Sequence, residues 1–186
     1  MIPIQNIYYM LLYAFQVLNE QGYKNIATEQ FNNTAELMAA ILAKGITVQI
    51  KRGLGKEYIP QTEALSALRG KIDIAESIKT QSMLRKQLIC TYDEFSVNSI
   101  MNRIIKSTIE ILLRSNISKQ RKKNLRKLML YFSEVDFIDL YTVNWNVQYN
   151  RNNQTYRMLI SICYLVVKGL LQTQSDGSKK VDGLSG

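Results

Sequence analysis

The sequence contains no histidine and only two cysteines, Cys90 and Cys163. A structural zinc site needs four ligands drawn mostly from these two residue types, so the chain cannot complete one by itself. Catalytic triads that use a histidine base are excluded in the same way. Because both cysteines stand among apolar or strand-forming residues, we expect them to be buried as small hydrophobic side chains without a catalytic role.

Long hydrophobic runs are also missing. The longest run, MLISICYLVV at 158–167, is shorter than the roughly 20 residues that a membrane span needs, and Lys168 follows it. The N-terminal stretch MIPIQNIYYMLLYAF lacks the basic segment and the small-residue cleavage site of a signal peptide. These features predict a cytoplasmic protein with no membrane contact.

Two common enzymatic signatures are absent as well. The phosphate-binding loop follows the pattern GxxxxGK[ST], and the nearest segment, GLGKE at 53–57, has neither that spacing nor the hydroxyl. None of the fifteen acidic residues is followed two positions later by lysine, so the [DE]xK signature of many metal-dependent nucleases does not occur. We therefore predict no catalytic, metal-binding or cofactor-binding residue in this chain.

The positive charge is concentrated in one segment. The formal net charge is +9, and no acidic residue occurs between Glu110 and Glu134. In RSNISKQRKKNLRK at 114–127, seven of fourteen positions are Arg or Lys. Such a segment is either a track for nucleic-acid phosphates or the solvated face of a helix in a basic protein, and no aromatic residues interleave with the charges to stack on bases. The candidate nucleic-acid-binding residues are Arg121, Lys122, Lys123, Arg126 and Lys127.

Hydrophobic periodicity predicts helices before and after a short β region. Apolar residues recur with helical spacing over about 5–19, and AELMAAILAKG forms a second helix that Gly45 should end. The pattern then alternates from Ile46 to Lys51, and RGLGKEYIP should turn the chain back as a β-hairpin. Further strands are expected at 68–78, running into a short helix, at 86–93 and at 139–143. Further helices are expected from Ser96, over 118–132 and over 154–171. The helix from Ser96 should carry on one apolar face Met101, Ile104, Ile105, Thr108, Ile109 and Leu112.

These elements predict an α+β fold, mainly helical, with a small inserted antiparallel β-sheet. The expected organisation is one helical region over 1–173, an inserted finger-like β-hairpin element at about 46–93, and a flexible tail over 174–186. Asp93, Glu94 and Ser96 are expected to cap the helix that follows them, because helix starts favour anions and short oxygen acceptors. We interpret Asn102, Arg103 and Lys106 as a structural polar network or a subunit contact.

Several long segments resemble the N-terminal part of the McrC family, the nuclease subunits of McrBC 5-methylcytosine-specific restriction systems. The resemblance covers about 2–173 and rests on IPIQNIYYMLLYAF at 2–15, RGL at 52–54 with EYIPQTE at 57–63, RGKIDIAESI at 69–78, YDEFSVNSIMNRIIKSTIEILL at 92–113 and RNNQTYRMLISICYLV at 151–166. The blocks IPxxNIYYML and NRIIKST are long and ordered, which makes them far more specific than a short motif.

The resemblance implies a partner, McrB, which is an AAA+ GTPase that forms rings and recognises modified DNA. In this family the N-terminal part reaches into the central pore of the ring and stimulates GTP hydrolysis, and a C-terminal PD-(D/E)xK region cuts DNA with Mg²⁺. The sequence departs from that pattern because it stops at Gly186, where the nuclease region should begin. GTP would then belong to the partner, Mg²⁺ to the missing region, and DNA would be met through the complex.

The resemblance also points to the predicted hairpin as the element that enters the partner ring. Its cations would act on the GTPase site in an arginine-finger-like or an indirect way. The candidate partner-binding residues are Arg52, Lys56, Tyr58, Arg69 and Lys71. Two alternatives remain open: a stand-alone basic protein that binds nucleic acid through the 114–127 segment, and a truncated remnant that folds without function.

Overall fold

A computed structural model describes residues 34–181, with side-chain detail for 34–169. Within this range the chain divides into a helical unit, formed by residues up to Leu54 and from Ile100 onward, and an inserted unit, Gly55–Ser99. The regular elements are α1 (Thr34–Arg52), β1 (Glu57–Leu65), β2 (Lys71–Ile72), α2 (Ile74–Lys79), β3 (Leu88–Ser96), α3 (Ile100–Arg114), α4 (Lys119–Met129) and α5 (Gln154–Val181), with 3-10 turns at Ser82–Arg85, Leu130–Phe132 and Arg151–Asn153. The helix predicted over 5–19 lies outside the described residues.

The core of the helical unit lies among four helices. Helices α4 and α5 each pack against both α1 and α3. Helix α3 buries the face that the sequence predicted, because its apolar residues recur every three or four positions. The buried residues of that face are Met101, Ile104, Ile105, Thr108, Ile109 and Leu112.

Helix α1 corrects the predictions for Gly45 and for the strand at 46–51. The helix continues through Gly45 to Arg52, and Ile46 and Gln49 extend its buried stripe. A Cβ atom on Gly45 would lie 2.5 Å from Met158 Cε and 2.7 Å from Leu159 Cδ2, so this glycine allows α5 to approach closely. Six alternating residues fit a strand, but the longer helical stripe extends through them and determines the structure. The inserted element therefore begins near Gly55 and not near residue 46.

The glycine that ends α1 is Gly53. It has a φ of +91°, its backbone N–H donates to the carbonyl of Ile50, and its own carbonyl accepts from Gln49 Nε2 at 2.8 Å. A left-handed glycine directly after the last helical residue is a common helix stop. The helix-ending glycine that was predicted at Gly45 is therefore Gly53, eight residues later.

The inserted unit is built on a three-stranded antiparallel sheet in the order β1-β3-β2. Strands β1 and β3 pair from Glu57 opposite Ser96 to Leu65 opposite Leu88, and β2 pairs Lys71 with Thr91 on the other side of β3. Strand β1 is an edge strand, which accommodates Pro60 because one side of an edge needs no N–H donor. Together with the helices, this sheet confirms the predicted α+β class.

Short helix α2 is joined to the central strand by side-chain hydrogen bonds. Asp73 caps α2 by accepting from the backbone N–H of Glu76 at 2.9 Å. Ser77 donates to the Asp73 carbonyl at 2.6 Å, and its hydroxyl accepts from the backbone N–H of Ile89 at 2.8 Å. The predicted run from a strand into a short helix is therefore confirmed.

Asp93 and Glu94 do not cap a helix, which corrects a second prediction. Both lie within β3, and α3 begins only at Ile100. Ser96 closes the strand, and its hydroxyl accepts from the backbone N–H of Asn98 at 3.1 Å. A run of acidic and hydroxyl residues suits a helix start as well as an exposed strand end, so the local sequence did not separate the two.

Two elements after α4 also differ from the prediction. Residues 139–143 form a turn and not a strand, and α5 extends to Val181 instead of ending near residue 171. Trp145 packs edge-on against Tyr164 of α5, with ring centroids 5.4 Å apart. This contact places the segment that precedes α5 against that helix.

The two cysteines are free and buried, as predicted. Burial raises the pKa of the Cys163 thiol to about 12, which keeps it protonated at neutral pH. None of the described helices combines the length and the apolar composition that a membrane crossing requires.

Candidate macromolecular interaction surfaces

The five predicted partner-binding residues do not form one site. Arg52 belongs to the last turn of α1 in the helical unit, where its Nη1 donates to Thr155 Oγ1 of α5 at 3.3 Å. The other four lie in the inserted unit. Because the predicted hairpin began too early, it included a residue that the fold uses to connect two helices.

Lys56 and Tyr58 form a small aromatic cluster with Phe95. Tyr58 and Phe95 face each other across β1 and β3, and their ring centroids are 4.9 Å apart. Both side chains are exposed, at 72% and 55%, and Lys56 Nζ lies 5.8 Å from the Phe95 centroid. The cluster lies where the chain enters and leaves the inserted unit, so it is not at the far end of the sheet.

Arg69 lies over a second aromatic residue, Tyr92, and Lys71 follows on β2 opposite Thr91. The Arg69 guanidinium carbon lies 3.9 Å from the Tyr92 ring centroid, within cation–π range. Burial raises the pKa of the Tyr92 hydroxyl, and a hydrogen bond to the Glu63 carboxylate and its charge raise it further, so Tyr92 stays neutral. Tyr92 and Phe95 are three residues apart on one strand, which places their side chains on opposite faces of the sheet.

Gly70 fixes the position of this second group. Its φ is +65°, and a Cβ atom there would lie against the carbonyl oxygen of Thr91 and 2.7 Å from Tyr92 Cβ. Only a residue without a side chain fits this close approach. The backbone of β2 can therefore lie against β3, with Arg69 over the Tyr92 ring.

The inserted unit also exposes an unusual amount of apolar side chain. It holds seven of the twelve large hydrophobic residues that are exposed in the described part of the chain, although it is the smaller unit. Ile74 and Ile78 lie one turn apart on α2, and Leu84 is 81% exposed. We define the inserted-unit apolar surface as Leu68, Ile74, Ile78, Met83 and Leu84. Surface area of this kind is typical of contacts with another protein.

In the basic segment, Arg121 has a structural partner. Its Nε lies 3.2 Å from Glu36 Oε1, and the two side chains are only 14% and 9% exposed. Glu36 also accepts from the Ser118 backbone N–H at 2.8 Å and from its hydroxyl at 3.0 Å. Arg121 thus connects α4 to α1, a structural contact that the sequence did not predict.

Opposing effects act on the pKa of Glu36. Burial alone would raise the pKa, but the hydrogen bonds from Ser118 and Arg121, together with the Arg121 charge, outweigh burial and lower it. The carboxylate is therefore ionised at neutral pH and stabilises the contact between the starts of α1 and α4.

The remaining four predicted nucleic-acid-binding residues are accessible. Lys123, Arg126 and Lys127 are exposed and Lys122 is half-buried, while Leu125 and Leu128 on the other side of α4 are buried. Lys119, at the start of the helix, is also exposed. Lys119 is not among the predicted residues, although its i, i+4 spacing to Lys123 places it on the same face.

The polar residues of α3 form structural contacts, as one of the two interpretations held. Tyr156 of α5 donates to the buried Asn102 side chain at 2.8 Å, and Arg103 lies 3.4 Å from the Asp136 carboxylate. Lys106 donates to the carbonyl of Val135 and lies 4.7 Å from the Phe137 ring centroid. These contacts connect α3 to α5 and to the segment after α4.

Within residues 34–169, no group of three or more Cys, Asp or Glu side chains converges to hold a metal ion. The described surfaces consist of cations, aromatic rings and apolar side chains, which suit binding to another macromolecule. By its fold, the chain belongs to the class of helical proteins that carry an inserted β unit. By its surface, that unit exposes apolar and aromatic side chains beside cations.

The family within that class follows from comparison with known proteins. A family model described as McrBC 5-methylcytosine restriction system component matches residues 5–184, so the chain belongs to this family. The Type IV methyl-directed restriction enzyme EcoKMcrBC of Escherichia coli strain K12 is 29% identical over 178 residues, which are 95% of this chain and 51% of that protein. The chain thus spans about half the length of this curated relative.

Two solved structures share the fold. The cryo-EM structure of the Thermococcus gammatolerans McrBC complex matches with a TM-score of 0.65 and 23% identity, over 88% of this chain and 50% of that one. A half-complex from a tetradecameric assembly of Thermococcus gammatolerans McrB AAA+ hexamers with bound McrC matches with a TM-score of 0.63 and 22% identity, over 79% and 36%.

Proposed function

We propose that this chain is the ring-binding part of a cytoplasmic McrBC-type restriction complex and that it stimulates GTP hydrolysis by a McrB-type AAA+ partner. The family match over residues 5–184 carries the proposal. It is supported by the similar structure that is described as McrB AAA+ hexamers with bound McrC.

The inserted unit is the part of the chain best suited to contact the ring. It exposes aliphatic side chains of the types that are buried in the helical unit. It also carries cations beside aromatic rings on both faces of its sheet. Covering the apolar side chains of such a surface is favourable, and its cations can form charge-assisted hydrogen bonds with a protein partner. The proposed contact residues are Lys56, Tyr58, Arg69 and Lys71, and Arg52 is left out because α1 and α5 use it.

In this proposal the chain contributes no catalytic residue. GTP is bound and hydrolysed by the partner, and DNA cleavage with Mg²⁺ belongs to a nuclease region outside these 186 residues. The relative named as a restriction enzyme is about twice as long as the matched region, which is consistent with a division of this kind.

A triple variant of the inserted unit tests the contact. Lys56→Ala, Arg69→Ala and Lys71→Ala remove two cations beside aromatic rings and a third on β2, and we expect a large loss of stimulated GTP turnover. The matched control removes three exposed cations from the same unit with Lys79→Ala, Arg85→Ala and Lys86→Asn. Asparagine is chosen for Lys86 because its φ of 57° is in the left-handed region.

The result is read against the control. The proposed contact requires the first variant to lose stimulation while the control keeps most of it, with both eluting as folded proteins. Equal turnover in the two variants and the unaltered chain would remove these residues from the contact.

A further inference from the structure

Several cations of the described helices form ion pairs, whereas the exposed cations of α4 do not within the described ranges. Arg114 pairs with Glu110 at 2.8 Å, and Lys79 pairs with Glu76 at 3.7 Å. Arg103 and Arg121 also have carboxylate partners. We define the α4 cation row as Lys119, Lys123, Arg126 and Lys127. Within the described ranges none of these four forms an ion pair, and no acidic residue occurs between Glu110 and Glu134 to provide one.

The α4 cation row occupies one face of the helix. Its members follow the first at i+4, i+7 and i+8, which places them within about one quarter of the helix circumference. With a rise of about 1.5 Å per residue, the row is about 12 Å long. The buried Leu125 and Leu128 lie on the opposite side, so the whole row faces solvent.

This arrangement is unfavourable for the helix itself. Lys119 and Lys123, and Lys123 and Lys127, are like charges four residues apart, which repel each other on a helix surface. The first turn of α4 contains cations and no acidic residue, although the helix dipole favours anions at that end. The core-facing leucines and the Arg121–Glu36 pair explain the folding of α4 without these charges. A bound polyanion would remove both penalties.

We propose that the α4 cation row is a docking surface for the phosphate backbone of duplex DNA, separate from the inserted unit. Duplex DNA carries about one negative charge per 1.7 Å of its axis with both strands counted, so about 12 Å of duplex carries about seven charges, enough to supply one phosphate to each of the four cations. No aromatic side chain lies between the cations to stack on unpaired bases, and the exposed Leu130 and Tyr131 follow the last cation. The contact is therefore independent of sequence and favours duplex over single strands.

The test compares two variants of the full chain with the same change in net charge. The row variant is Lys119→Gln, Lys123→Gln, Arg126→Gln and Lys127→Gln. The control removes four exposed cations that are scattered over the surface, with Lys51→Gln, Lys79→Gln, Arg85→Gln and Arg151→Gln. Fluorescence anisotropy with an unmodified labelled duplex, titrated at several salt concentrations between about 50 and 200 mM, gives the affinity and its salt dependence.

The row variant should lose affinity more than tenfold relative to the control. The slope of log affinity against log salt should become shallower by about 3 to 4, because each lost phosphate contact removes about 0.9 from it. Equal losses in both variants would show general charge attraction and overturn the docking surface. Tighter binding of a single strand, or no binding by the unaltered chain at about 50 mM salt, would also overturn it.

Two further readouts separate this proposal from failure to fold and from the ring contact. The row variant should be at least as stable to heat as the unaltered chain, since the substitutions relieve like-charge repulsion. It should also keep its stimulation of GTP turnover measured without DNA. A row variant that is folded, binds the duplex as tightly as the control and has an unchanged salt slope would contradict the proposal.

Discussion

In the helical unit, large aliphatic side chains such as Ile41, Ile104 and Ile109 are fully buried, whereas in the inserted unit Ile74, Ile78 and Leu84 are mostly exposed. The two units are parts of one chain and use the same residue types. Aliphatic side chains within the helical unit stabilise a fixed core, and those on the inserted-unit apolar surface remain available for contact with a partner.

Their polar contacts differ in the same way. The helical unit connects distant elements with buried polar pairs, such as Glu36 with Arg121 and Asn102 with Tyr156. In the inserted unit, Lys56 and Arg69 instead lie against aromatic rings. This difference supports the proposed protein-binding role of the inserted unit, while the buried pairs of the helical unit stabilise its core.

The largest expected effect tests burial in the two units directly. Ile109→Ala should lower the free energy of unfolding by about 2 to 5 kcal/mol, because it leaves a cavity in the helical core. Ile78→Ala removes the same atoms from a side chain that is 63% exposed and should change stability by less than about 0.5 kcal/mol. Chemical denaturation of both variants measures the difference. A similar cost at the two positions would mean that Ile78 is covered by the chain itself.

A second comparison uses two glycines with positive φ. Gly70→Ala should cost about 1 to 3 kcal/mol, because the new Cβ meets the Thr91 backbone, which cannot shift like a side chain. Gly53→Ala incurs the same conformational penalty with no atom within 4 Å, so it should cost only about 1 kcal/mol. Denaturation curves should show the difference. Equal costs would indicate that the clash with the Thr91 backbone contributes nothing to the destabilisation by Gly70→Ala.

A smaller effect concerns the carboxylate that joins α1 and α4. Glu36→Gln should cost about 1 to 2 kcal/mol at neutral pH, because the amide loses the ion pair with Arg121 and accepts weaker hydrogen bonds. Because the folded-state pKa of Glu36 is lowered, its contribution is complete above the ordinary value of 4.5 and decreases as the pH falls below it.

The measurement is the unfolding free energy of the unaltered chain and of Glu36→Gln as a function of pH. Their difference should shrink below about pH 4.5. Glu134→Gln, at an exposed position, is the control and should leave the profile unchanged. A difference that is independent of pH would show that the Glu36 charge is not what stabilises the contact.

The sequence predicted those parts of the fold that depend on uninterrupted local patterns. The buried face of α3 followed from its helical spacing, residue by residue. The prediction that Gly45 ends a helix was wrong. A glycine can either end a helix or allow a neighbouring helix to approach closely. The contact that decides between these roles is with Met158, which lies more than a hundred residues later in the chain. The strand predicted at 46–51 was wrong for a related reason, because six residues of alternating polarity fit the end of a helix as well as a strand.

The site residues show the same limit. The role of Arg121 depends on Glu36, 85 residues earlier in the chain, and local charge patterns give no sign of that pair. Phe95 joins Tyr58 only through the register of β1 and β3. Lys119 could have been found, because its spacing to Lys123 is visible in the sequence.

The most direct test of the binding role is the rate of GTP hydrolysis by a McrB-type AAA+ partner, measured with and without the unaltered chain. Size-exclusion chromatography of the same mixture should report whether a complex forms. The account predicts that the chain raises the turnover rate and elutes with the partner. A folded chain that leaves turnover unchanged and elutes alone would contradict it.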